Sequence, residues 1–305
     1  MQSIYSFFQS EDADMNLGEK DMLRSIDRTF DLYITVLIFP CELADIAANK
    51  LEISRNKMLP TQEDLDPNLK FVNNRLIKRI RESSAIAREV NARKIGWQSD
   101  QSIEIIRKTW ENIQAWDPYK VYMASGESSW AEDVEFVMDI FRKHMADSDL
   151  FEQYIEEVSM HWPGDMNMAV APTALKTFES MSEDADVTLS PLYKDPEDDR
   201  KFVVELYRKT IIDDEEASKI IGDKTKNWEV DRIAVMDVIL MKMAIAELKN
   251  FPSIPVKVTL NEYIEISKTY STPKSRQFIN GILDKLVADF REQGTIKKTG
   301  RGLME

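Results

Sequence analysis

Few residues in this sequence are of types that do chemistry. Two histidines, His144 and His161, and one cysteine, Cys41, stand in 305 residues. Glu157 and His161 lie at i, i+4, which on a helix puts a carboxylate and an imidazole on one face, as two metal ligands would be. No other histidine or cysteine joins them, and a zinc site needs three or four protein ligands. A His-dependent triad has only two candidate bases, and no Gly-x-Ser-x-Gly elbow is present. Neither a P-loop nor a Gly-x-Gly-x-x-Gly run occurs. Paired carboxylates mean little among 54 Asp and Glu and read as solvated faces. The expectation is a protein that is not an enzyme, with no metal and no cofactor. Cys41 reads as a small buried apolar residue, and a single cysteine excludes an internal disulfide.

Recognition chemistry is better represented. From Asn68 to Lys94 there are eight Lys or Arg against two Glu. Arg75, Lys78 and Arg79 share one helix face, opposite Val72, Leu76 and Ile80. Such a stripe can track phosphates, or it can be a solvated face bridged to acidic neighbours. A second candidate is "RQFINGILDKL" (276–286). Its Asn280-Gly281 pair is a turn dipeptide, yet Phe278, Ile279, Ile282, Leu283, Leu286, Val287 and Phe290 keep helical phase across it. Glycine there costs about 1 kcal/mol against alanine. At about 100° per residue, Lys274, Gln277, Gly281 and Lys285 share the solvent side, with Phe278 at its border. Glycine between two lysines permits close backbone approach, either by RNA or by another helix of the same chain. A border aromatic can stack on a base or belong to the core.

These residues need helices to hold them, and the composition supplies helices. The chain has nine glycines, well under half the usual share of about 7%. No β alternation stands out, and the class is all-α, a helical bundle. Asp66-Pro67, Asp117-Pro118, Asp195-Pro196 and Thr272-Pro273 carry the N-cap-then-proline signature of a helix start. Helices are expected at about 18–50, 67–93, 98–115, 130–145, 148–161, 166–182, 196–212, 214–226, 229–249, 257–270 and 273–292. The window 232–248 is apolar but interrupted by Asp237 and Lys242, which makes it a buried helix rather than a membrane span. The segment 182–199 reads as a linker. The expected boundaries are 1–196, 197–293 and a flexible basic tail over 294–305. Shifted by 66, residues 133–165 lie over 199–231 with nine identities in 33 positions, through duplication or through chance likeness of two amphipathic hairpins.

The net charge is −14 and the pI about 4.8. Phosphate neutralisation supplies most non-specific nucleic-acid affinity, so RNA would need a local basic patch or a basic partner. An acidic surface suits a basic protein partner. "MQSIYSFFQS" has no basic leader region, and a cytoplasmic location is expected.

The last third carries a specific pattern: Ala246-Glu247-Leu248, Ile254-Pro255, Lys257-Val258 and Asn261-Glu262, then Ser275 and the run Phe278-Ile279-Asn280-Gly281-Ile282-Leu283-Asp284-Lys285. In order and spacing, 227–287 resembles the C-terminal half of the NusB family of transcription antitermination factors. Residues 199–226 look like that family's fourth helix, and "QSIYSFF" (2–8) resembles the middle of its first. Roughly 11–195 is an insertion without an assigned role. The resemblance implies a non-catalytic protein that binds boxA-like single-stranded RNA together with the ribosomal protein NusE. It acts on the RNA polymerase elongation complex indirectly, suppressing premature termination of ribosomal RNA transcription, with no membrane association. It leaves room for a homodimer. On this reading Lys274, Arg276, Gln277, Phe278, Gly281 and Lys285, with Arg75, Lys78 and Arg79, meet RNA. Tyr5, Glu229 and Asp237 meet the protein partner.

Two departures stand out. The family's Arg-rich stretch before its first-helix motif has no counterpart ahead of Gln2, so residues are expected to be missing before Met1, or 70–94 to substitute for them. Lys274 stands where many relatives carry an acid. The alternatives are a helical protein–protein interaction module with weak or lost RNA binding, and a NusB-like domain protein of ribosomal RNA modification. For the latter no cofactor-binding unit is visible.

Overall fold

The computed structural model describes residues 1–126, 129–160, 162–225 and 233–303. In chain order the helices are α1 (Gln2–Gln9), α2 (Met15–Arg55), α3 (Gln62–Leu65), α4 (Arg75–Glu82), α5 (Ser84–Arg93), α6 (Asp100–Ala115), α7 (Asp117–Ala124) and α8 (Trp130–Phe141). A π-helical turn (Arg142–Ala146) precedes α9 (Asp149–Val158) and α10 (Trp162–Asp165), and a second one (Met166–Val170) leads into α11 (Ala171–Ser180). Then come α12 (Pro196–Ile212), α13 (Asp214–Lys224), α14 (Val235–Asn250), α15 (Val256–Tyr270), α16 (Pro273–Glu292) and a 3-10 turn (Gly300–Leu303). No strand occurs among the described residues, and the all-α class stands.

Local signals account for most boundaries. Asp195 caps α12 by accepting the amides of Glu197 and Asp198, and Thr272 caps α16 by accepting that of Ser275, each just ahead of a proline. Two Asp-Pro starts behave differently. Asp117 lies inside α7, whose cap position is Trp116. Asp66 ends α3, and 67–74 is a loop. There the Asn68 amide donates to the Met123 carbonyl at 2.7 Å while its oxygen accepts from the Lys70 N–H at 3.0 Å. Those bonds hold the backbone in turns and bury Phe71. The helix expected over 67–93 is therefore two helices. They part at Ser83, whose hydroxyl donates to Asp186 at 2.8 Å and accepts from the Ile86 amide.

The chain divides into two units. The first comprises Met1–Arg24 and Tyr193–Glu305, the second Ser25–Leu192. α14 is the centre of the first unit, packed by α12, α13, α15 and α16. Ile239, Leu240, Met241, Ala244, Ile245 and Leu248 are buried around its circumference, as expected of a helix apolar on all sides. In the second unit α4 packs on α8, α8 on α11 and α6 on α9. Tyr122 and Phe136 stack there with ring centroids 3.9 Å apart. Cys41 is buried, and burial pushes its thiol up to about 12, which leaves it inert at neutral pH.

The segment expected to be a flexible tail is docked over 295–303. The Thr299 amide donates to the Pro252 carbonyl at 2.9 Å, and Lys298 Nζ donates to the Phe251 carbonyl at 3.0 Å. Gly302 is buried against Pro252, with no room for a Cβ. Its glycines and lysines read as disorder by composition, but here they make a close backbone approach and a half-buried donor.

Candidate nucleic-acid interface

α16 is fastened before it presents anything. Asp237, in the first turn of α14, accepts a hydrogen bond from the Ser271 hydroxyl at the turn between α15 and α16. Lys224 of α13 pairs with Asp289. Ile279, Ile282, Leu283, Leu286, Val287 and Phe290 are buried beneath the helix. Gln2 of α1 donates to the Tyr270 hydroxyl at 3.3 Å, which ties the first helix to the end of α15.

The other side of α16 faces outward. Lys274, Gln277 and Lys285 are exposed, while Arg276 and Phe278 are half-buried. Lys274, Arg276 and Lys285 form no ion pair with any described residue. A Cβ built on Gly281 meets nothing within 4 Å. Among the described residues, no neighbouring helix presses on that glycine.

The α4 stripe is different. Arg75 pairs with Glu183 at 3.3 Å, Lys78 with Glu82 at 3.8 Å and Arg81 with Asp45 at 2.7 Å. Lys70 is bound to Glu132 at 3.0 Å, and Arg93 to Asp31 at 2.8 Å. Arg79 is half-buried, with its Nε enclosed, and its charge helps hold the Asp186 carboxyl down at about 2, after the hydrogen bonds from Ser84, Ser83 and Val187. These cations neutralise carboxylates of their own unit. Arg75, Lys78 and Arg79 lie in the second unit and α16 in the first.

Of the expected partner-binding residues, Tyr5 is 41% exposed on α1. Asp237 is 2% exposed. It is an internal fastener, not a surface contact, because its carboxylate is spent on Ser271. Glu229 lies outside the described residues, as do His161 and the Trp228 and Asp231 of the internal similarity. His144 is buried with its ring 4.9 Å from that of Trp116. Burial and then Lys143 lower its imidazole to about 4. Among the described residues no group of His, Cys, Asp and Glu could hold a metal, and no helix is long and apolar enough to cross a membrane.

The NusB family profile matches residues 170–288. A transcription antitermination protein NusB from Salinibacter ruber is 43% identical over 130 residues, 41% of this chain and 81% of that protein. The chain belongs to the NusB family. A relative of the same name from Chloroherpeton thalassium is 39% identical over 106 residues, spanning 35% of the chain and 50% of its own length. One from Dictyoglomus turgidum is 36% identical over 104 residues, 34% of the chain and 70% of its own. No solved structure matches.

The NusB-like motif residues divide by environment. Glu247 is 5% exposed and accepts from the Tyr263 hydroxyl at 3.0 Å, joining α14 to α15. Burial raises its carboxyl above the ordinary value. Pro255 is the cap residue of α15. These positions build the NusB scaffold, whereas Lys274, Gln277, Gly281 and Lys285 lie on its open surface. Sequence reasoning missed the docked tail. Its signal was the two close glycines, Gly300 and Gly302, flanking Arg301.

Proposed function

We propose that this chain is an RNA-binding transcription antitermination factor. It recognises a boxA-like single-stranded RNA together with the ribosomal protein NusE, and it suppresses premature termination of ribosomal RNA transcription in the cytoplasm. The observation that carries this reading is the open face of α16, where Gly281 has no described atom above it and lies between two lysines that pair with no described residue. A strand can approach that backbone closely, and Lys274 and Lys285 can neutralise its phosphates. The names of the relatives support the role, and an overall charge of −14 suits a basic ribosomal partner.

The test is fluorescence anisotropy with a boxA-like RNA, with and without NusE. Lys274→Glu with Lys285→Glu is expected to weaken binding roughly tenfold and to lower the salt slope by about two. Arg75→Ala with Lys78→Ala is expected to leave binding within about twofold, because those cations are already paired. No preference for the boxA-like RNA in either state rejects the reading. The alternative, a helical protein–protein module, is favoured by the pairing of the α4 cations. It predicts NusE binding with no salt-dependent RNA affinity.

A further inference from the structure

The open side of α16 continues beyond Gly281 into a groove. Its space, about 890 Å³, lies between α15, the C-terminal half of α16 and the docked segment 296–303. Leu260, Val287 and Ile296 form its floor, and Lys257, Arg291 and Lys297 stand around it. These three cations are exposed and form no ion pair with any described residue. That contrasts with α4, where neighbouring carboxylates take up most of the cations. Among the described residues one carboxylate, Asp284, is in the groove wall, and it is engaged by the Asn280 amide at 3.2 Å.

The docked segment makes this a built surface. Lys298 also borders the groove, but its ammonium is spent on the Phe251 carbonyl and burial lowers its pKa. It acts as an anchor. The Thr299 bond to Pro252 and the buried Gly302 complete the attachment, so the adjacent Lys297 projects from a held backbone. Among the described residues no aromatic borders the groove, so a base would find no described stacking platform there. A phosphate would find three charges that no described residue neutralises. From Lys274 to Arg291, α16 rises roughly 26 Å at 1.5 Å per residue, enough for several nucleotides. On a helical wheel Asp284, Ala288 and Arg291 fall on the same side as Gln277 and Gly281.

We infer that this groove takes the sugar–phosphate backbone of RNA flanking the recognised element, as a sequence-independent extension of the α16 face. The inference rests on the RNA-binding reading above. It assigns Lys257, Arg291 and Lys297 to phosphates and none of them to bases.

Two RNAs separate the possibilities: the boxA-like element alone, and the same element extended by about ten unpaired uridines on each side, a length chosen to outrun the helix. Wild-type protein is expected to bind the extended RNA more tightly. Lys257→Glu, Arg291→Glu and Lys297→Glu together should weaken the extended RNA roughly tenfold, reduce its salt slope by about two to three, and leave the short RNA within about twofold. The three glutamine substitutions should fall between, and unchanged thermal melting of that variant keeps the comparison valid. Lys274→Glu with Lys285→Glu should weaken both RNAs. If the wild type binds the short RNA but gains nothing from the extension, or if the triple variant weakens both RNAs equally, the groove assignment is overturned and the RNA-binding reading survives. Binding of neither RNA overturns both. If charge reversal abolishes binding of poly-glutamate and leaves the extended RNA untouched, the groove belongs to acidic peptides and the inference fails.

Discussion

The phenol of Tyr263 donates to the carboxylate of Glu247 at 3.0 Å, and both side chains are buried. Burial is the largest influence on that carboxyl and raises its pKa; the Thr259 and Tyr263 hydrogen bonds oppose it only in part. An acid with a raised pKa holds its proton more tightly in the folded state than in the unfolded one. Its contribution to stability therefore falls as pH rises above the ordinary value of 4.5. Glu247→Gln keeps a partner for Tyr263 and removes the charge. Relative to wild type, this variant is expected to gain stability as pH rises above 4.5, until the buried carboxyl has ionised. Urea midpoints across that range measure it, and a constant difference between the two proteins would contradict it.

Asp237 offers a separation of roles. Its carboxylate accepts the Ser271 hydroxyl, so Asp237→Ala removes the fastener at the start of α16 and should cost about 1–3 kcal/mol of stability. Affinity of the folded variant for NusE should be unchanged, because a residue 2% exposed reaches no partner. Chemical denaturation and calorimetric titration read the two effects independently. Weakened NusE binding without lost stability would return Asp237 to the surface.

Gly281→Ala should separate stability from binding. With nothing within 4 Å of the new methyl group, only helix propensity changes, and the protein should gain about 1 kcal/mol. RNA affinity should fall several-fold, since the methyl group occupies the space a strand would use. A melting temperature that rises with unaltered RNA affinity would show that nothing approaches this backbone.

At Gly302 the sign reverses. A Cβ there would overlap the Pro252 carbonyl, and backbone atoms on both sides cannot yield as a flexible side chain would. Gly302→Ala is expected to release the segment from Thr299 onward and to cost about 1 kcal/mol for the lost hydrogen bond. Amide exchange at Thr299 should accelerate, while exchange in the α14 core stays protected.

Much of this architecture was legible as pattern. The apolar stripe of α16 persists through Asn280-Gly281 because helical phase over twenty residues outweighs one unfavourable dipeptide. Asp195 and Thr272 were readable as caps because a cap depends on its neighbours two or three positions along. Asp66 misled because the loop after it is held by Asn68 reaching the Met123 carbonyl, 55 residues away, a contact that no local propensity encodes. The helix break at Ser83 likewise depends on Asp186.

The sequence by itself determined the all-helical class, most helix starts and the family likeness of the last third, since each is written in short-range periodicity and spacing. It could not decide which cations are free. Arg75 and Lys274 look alike in sequence. Only the tertiary structure brings Glu183 to Arg75 and leaves Lys274 without an ion pair among the described residues. Nor could composition show that the basic glycine-rich end is anchored, because Pro252 and Phe251 supply the carbonyls from a loop more than forty residues earlier. Charge is a property of residues, whereas its neutralisation depends on which residues the fold makes neighbours.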